Sequence, residues 1–199
     1  MTEDTKKYQR KHLRAPLKTM ILYEDDGYVF KAQLSNISKG GILIANLPNY
    51  PMINIIPIII DIPEMPVIRS DDLSKLRLVN IKDCKRHILR TRVHTVRRAG
   101  ATTSIGEIFA KNIGAAFVDQ SMDLQITADK YISSFAYNIT FLLRLLSISI
   151  CDNEDETIEK IKVLCTILGY DPESKISTLT RQVTDDYRGL QWPTFMGSR

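Results

Sequence analysis

Apolar positions follow two regimes that meet near residue 121. Before it they alternate, or gather in short runs bounded by turn residues, as strands do; after it they recur at spacings of three, four and seven, as helices do. Residues 17–23 and 28–34 predict two strands joined by Glu24-Asp25-Asp26-Gly27, whose Asp-Gly pair suits a hairpin turn. Residues 42–45 predict a third strand. Residues 52–62 are almost continuously apolar, as a buried barrel strand is, and Pro57 predicts a bulge or an edge there. Residues 76–81, 87–98 and 112–118 predict further strands. In the second of these, Ile88, Arg90, Arg92, His94 and Val96 share one parity, and Leu89, Val93 and Thr95 the other.

Beyond Ser121, the residues Leu124, Tyr131, Phe135, Ile139, Leu142 and Leu146 form one helical stripe. A second helix is predicted over 154–168. Asn153 and Glu156 are placed as its capping box, and Gly169 with Asp171-Pro172 ends it. Residues 171–199 are sparse in apolar periodicity and predict a partly ordered tail that packs Trp192 and Phe195. The segment Phe141-Leu142-Leu143-Arg144-Leu145-Leu146 is apolar on more than one side. It can therefore fold against the second helix as a satellite core, or support self-association. The division is an arginine arm over 1–15, a β-domain over 16–120, and a helical extension and tail over 121–199.

Composition adds three constraints. With 199 residues, 44% of them hydrophobic, the chain has enough material for a cored domain with an appendage. Its net charge of +4 is uneven: residues 1–120 hold 19 Lys and Arg against 12 Asp and Glu, and residues 121–199 hold 8 against 11. A basic half suited to an anionic ligand thus precedes a mildly acidic half. Cys84, Cys151 and Cys165 are odd in number and widely spaced, which fits small buried side chains in a reducing cytoplasm rather than disulfides or zinc. The start lacks an apolar stretch and so predicts no secretory signal, and the apolar run 139–150 is too short to span a bilayer.

Two motifs carry the candidate chemistry. Arg10-Lys11-His12-Leu13-Arg14 sets two guanidinium groups four residues apart, able to grip phosphates bidentately or to lie on a purine ring. Asn36-Ile37-Ser38-Lys39-Gly40-Gly41 is a tight connection offering an amide, a hydroxyl and a close backbone approach. Arg-x-x-x-Arg, then strands, then Asp/Asn-x-Ser-x-x-Gly, then a late strand ending Ile113-Gly114-Ala115-Ala116-Phe117-Val118-Asp119 resembles the PilZ domain over residues 8–135. That family comprises small bacterial β-barrels, many of which bind cyclic di-GMP.

The resemblance implies a mainly β fold: a PilZ-like antiparallel β-barrel followed by a C-terminal helical extension. Against that family, residues 66–75 and 99–106 read as insertions. It also implies a ligand role for Arg10 and Arg14, toward phosphate and the guanine Hoogsteen edge, and for Asn36, Ser38 and Gly41, toward a guanine edge from the barrel wall. Gln9 stands where many members carry another arginine, which leaves open whether one nucleotide or a stacked pair is held. The implied protein is a cytoplasmic receptor whose mobile arm orders on binding, with a protein partner or a second copy engaged by the helices. An adaptor that keeps the barrel without the ligand is the alternative.

Other functions fit less well. The second basic cluster, Lys85, Arg86, Arg90, Arg92, Arg97 and Arg98, reads as a solvated strand face. A single-strand nucleic-acid binder needs aromatic platforms among its cations, and none occurs between Tyr50 and Phe109. No catalytic or metal site is predicted: His12, His87 and His94 lack a nucleophile or ligand spacing, and there is no Gly-x-x-x-x-Gly-Lys-Ser/Thr loop.

Overall fold

A computed structural model describes residues 12–69, 72–96, 112–151 and 155–191. Arg10, Asn153, Trp192, Phe195, Arg97, Arg98 and the segment 99–106 therefore lie outside the described residues.

Among the described residues six strands form the first half: β1 (Arg14–Asp25), β2 (Tyr28–Ser38), β3 (Gly41–Ala45), β4 (Ile55–Pro63), β5 (Arg86–Val96) and β6 (Ile113–Phe117). They close into an antiparallel barrel in the order β1-β2-β3-β6-β5-β4. The β1–β2 turn has Asp26 at φ 51° and Gly27 at φ 76°, the left-handed pair that matches strand twist in a two-residue hairpin. Period-2 burial turns Ile56, Ile58, Ile60 and Ile62 of β4 inward. In β5 the sequence parity holds: Thr91, Val93 and Thr95 are buried, whereas Ile88, Arg90, Arg92 and His94 are exposed. Pro57 sits where β4 has left its ladder with β1, which pairs only over Ile58–Ile60, so its missing N–H disrupts nothing on that side.

Among the described residues three helices follow, α2 (Met122–Cys151), α3 (Asp155–Leu168) and α4 (Ile176–Gln191), while a short α1 (Leu73–Arg77) lies between β4 and β5. The expected antiparallel barrel with a helical extension is borne out. Ser121 Oγ accepts from Leu124 N at 3.2 Å and starts α2. Gly169, at φ 81°, ends α3, with Tyr170 N donating to Cys165 O at 2.8 Å. At about 45 Å for its 30 residues, α2 is the longest described helix, and it packs on β1, β2, β4, α3 and α4. Met122–Ser149 is long and apolar enough by length and composition to cross a membrane, but Leu124, Phe135, Ile139, Leu142 and Leu146 are buried within the chain.

Two expectations are corrected. Residues 76–81 are not a strand. Asp72 accepts from Ser74 N and opens α1, and Asn80 accepts from Lys82 N and opens a single turn of 3-10 helix over Ile81–Asp83. Side-chain capping there overrides a weak apolar alternation, of which only Leu76 is buried. The region 171–199 is not merely a tail, because α4 occupies Ile176–Gln191 and buries Leu179, Val183 and Leu190. In the second half of α2, Leu142, Leu145 and Leu146 are buried and the helix packs on α3 and α4, the arrangement of the satellite-core alternative.

Candidate functional site

The wall formed by β1 and β2 is irregular at one level. β1 pairs Pro16 with Asn36 and then Thr19 with Leu34, so Leu17 and Lys18 face the single residue Ser35. On the other side of β2, Leu34 pairs with Ile44 and Asn36 with Leu43, leaving Ser35 as the extra residue. A bulge breaks the alternation of a strand and re-aims its side chains. Burial in β2 records this: Ala32 and Leu34 are buried, and the next buried residue is Ile37. Ser35 and Asn36 become consecutive half-buried polar residues on one side of the wall.

A groove of about 880 Å³ opens there. Its barrel wall carries Arg14, Lys18, Ser35 and Asn36, Lys82 and Arg86 lie along its border, and Gly169, Asp185 and Asp186 come from the helical side. The volume falls within the usual range of small-ligand pockets, roughly 300–1,000 Å³. Arg14 is the exposed first residue of β1, opposite Ser38 in register, so the second arginine of the motif belongs to the barrel and not to the arm. Arg86 donates from Nε to both oxygens of Asp61, at 2.9 and 2.8 Å. Lys18 and Lys82 have no ion pair among the described residues, which leaves them as cations open to an incoming anion.

The remaining predicted residues lie beside this groove. Ser38 is buried, and its Oγ donates to Gly41 O at 3.0 Å across the β2–β3 hairpin. Gly41 is buried against β6: a Cβ there would meet Ala115 O at 2.3 Å and Ala116 Cα at 3.1 Å. The close approach that calls for glycine is thus one strand against the next. Neither residue lines the groove. His12 packs over Gly40, whose added Cβ would lie 2.6 Å from the imidazole Cδ2, so the end of the arm reaches back to the hairpin tip. The tip is also tied to α2 by Lys39 Nζ donating to Asp129 at 3.0 Å.

Sequence reasoning missed several site residues. Tyr131, assigned to the helical stripe, lines the groove, and its hydroxyl donates to Pro16 O at 2.7 Å, fastening α2 to the bulged strand. Burial pushes its phenol far above the ordinary tyrosine range, so it remains a neutral donor. Tyr170 donates to Asp186 at 2.7 Å, and its phenol is likewise raised, first by burial and then by that bond to a carboxylate. Burial also pushes the Cys165 thiol up to about 12, as suits a packing residue. A detectable signal for the α4 wall was present in the sequence: Ile176, Leu179, Val183, Tyr187 and Leu190 recur at spacings of three and four.

Two further hollows, of about 420 and 1000 Å³, contain neither Arg14 nor Asn36. The basic cluster is largely solvated as expected: Lys85, Arg86, Arg90 and Arg92 are exposed, and Arg92 pairs with Asp119. Among the described residues no group of three or more His, Cys, Asp or Glu side chains could hold a metal ion.

No protein-family model matches this chain, and no curated protein matches it. Among solved structures it is similar to the Bacillus subtilis inhibitor of motility (MotI/DgrA), at 14% identity and a TM-score of 0.41. That match covers 62% of this chain and 49% of the other, so it spans about half the length of that relative. It is also similar to the PilZ domain of CeSA from a cellulose-synthesizing bacterium, at 13% identity and a TM-score of 0.33, over 59% of this chain and 91% of that one. The fold assignment rests on the closed strand order itself.

Proposed function

We propose that this chain is a receptor for cyclic di-GMP that catalyses no reaction and passes ligand occupancy to a protein partner in the cytoplasm. The observation that supports it is the convergence of Arg14 and Asn36 on one groove, beside Ser35 and the open cation Lys18. A guanidinium and an ammonium suit two phosphates, and an amide suits a base edge. Arg10 is proposed to join from the preceding arm, which orders over the nucleotide when it binds.

A second reading, an adaptor that binds no nucleotide, draws on a different observation. The Ser38 hydroxyl is used within the hairpin and Gly41 is required by β6, so both have structural reasons for their identity.

Isothermal titration with cyclic di-GMP, beside GTP and a single-stranded oligonucleotide, separates the two. The receptor binds the cyclic dinucleotide selectively, and Arg14→Ala weakens it by one to two decades, the cost of about 1.5–3 kcal/mol for a lost charge-assisted contact. Unchanged affinity in the Arg10→Ala, Arg14→Ala double variant would sink the receptor reading. Wild-type protein that binds no nucleotide supports the adaptor.

A further inference from the structure

The groove has two walls of opposite chemistry. Arg14 and Lys18 stand on the barrel wall, and Asp185 and Asp186 of α4 stand on the other. Phosphate alone gains nothing from carboxylates. A guanine dinucleotide is different, because each base ends in a Watson–Crick edge where N1–H and N2–H donate side by side. A carboxylate accepts such a donor pair with its two oxygens, as it accepts from a guanidinium. We infer that α4 is the specificity wall of the site and that Asp185 accepts from the guanine N1–H and N2–H donors, a role that rests on the receptor reading above.

The two aspartates are not equivalent. Asp186 already accepts from the Tyr170 hydroxyl at 2.7 Å, a bond that links the end of α3 to α4 and orients the wall. Asp185, one residue earlier in the helix, is 65% exposed at its side chain, and its ion-pair partner is Arg188 at 3.8 Å. It is the carboxylate with oxygens to offer. Adenine presents an acceptor at N1, so the same carboxylate meets a lone pair and disfavours that base. Discrimination arises from both effects, attraction of one purine and rejection of the other. The phosphates remain with Arg14 and Lys18, and the base is read across the groove by an element that the barrel alone does not possess.

The test is titration of the full chain and of Asp185→Asn with cyclic di-GMP and with cyclic di-AMP, accompanied by melting curves. Wild-type protein prefers the guanine ligand by at least about tenfold. In Asp185→Asn the guanine affinity falls by about tenfold, the adenine affinity stays level or rises, and the melting temperature is unchanged because the residue is exposed. Equal tightening of both ligands would show a carboxylate that merely repels phosphate, and overturns the inference. So does a ratio that does not move. If wild-type protein binds neither dinucleotide, the receptor reading fails and the specificity role falls with it, an outcome distinct from binding without discrimination.

Discussion

The barrel and the helical layer solve the same problem, burying apolar surface, on different length scales. In the barrel each strand turns every second residue inward and bonds to neighbours on both sides, so β4 contributes Ile56, Ile58, Ile60 and Ile62 by simple alternation. In the helical layer α2 carries more apolar surface than one partner can cover, and the barrel, α3 and α4 cover it together. The polar residue Asn138, fully buried in α2, shows how these parts are tied. It accepts from Ile68 N at 2.9 Å and donates to Pro66 O at 2.8 Å, holding the segment after β4 against the helix. Strand pairing makes the barrel nearly self-contained, whereas the helices exist as a layer only by mutual contact. The candidate groove runs along the seam between the two.

The largest expected effect tests whether the seam is real. Phe135 is 1% exposed and belongs to one buried cluster that spans barrel and helices. Phe135→Ala should cost about 3–5 kcal/mol. If the two regions form one cooperative unit, helix ellipticity and the barrel's protection from amide exchange are lost together in urea. Two separated transitions would instead make the barrel autonomous.

A smaller effect concerns the barrel alone. Gly41→Ala forces a methyl toward Ala115 O in β6 and should cost about 1–3 kcal/mol through displacement of the strand. Chemical denaturation measures it. A melting temperature equal to wild type, with ligand affinity reduced, would return Gly41 to the ligand's side.

The smallest effect is on the helical side, and it depends on pH. Tyr131, Tyr170 and Cys165 all have folded-state pKa values raised by burial. A raised value means that the folded state holds the proton more tightly. The stabilisation is therefore complete below the ordinary range near 9–10 and is lost as pH climbs through it toward the folded values. Tyr23 is the described barrel tyrosine raised in the same way, with burial as its first cause. Tyr131→Phe should lose about 1 kcal/mol at neutral pH, the worth of its bond to Pro16 O, and should lose less stability than wild type between pH 9 and 11. Equal alkaline slopes in variant and wild type would remove Tyr131 from that account.

How legible each part was follows from the range of the interactions that made it. Residues 28–34 and 87–98 announced strands because alternation is a property of neighbours, and Asp26-Gly27 announced its turn because positive φ is a local demand. The helical stripe from Leu124 to Leu146 and the stop at Gly169 were legible for the same reason. The short α1 was not, since a capping aspartate competed with an apolar pattern of similar strength. The α4 stripe is one side chain wide, and only a complementary surface makes so narrow a face sufficient to hold a helix.

For the candidate site the division is sharper. The sequence by itself determined the arginine pair and the Asn-x-Ser-x-x-Gly string, which are contiguous and depend on no fold. Tertiary structure alone decided which of them share a groove. The bulge at Ser35 exists only between paired strands; it turns Asn36 to the groove and leaves Ser38 in the hairpin. Asp185 lies 171 positions beyond Arg14 in the chain, and no local pattern connects two charges that meet only when α4 packs against β1.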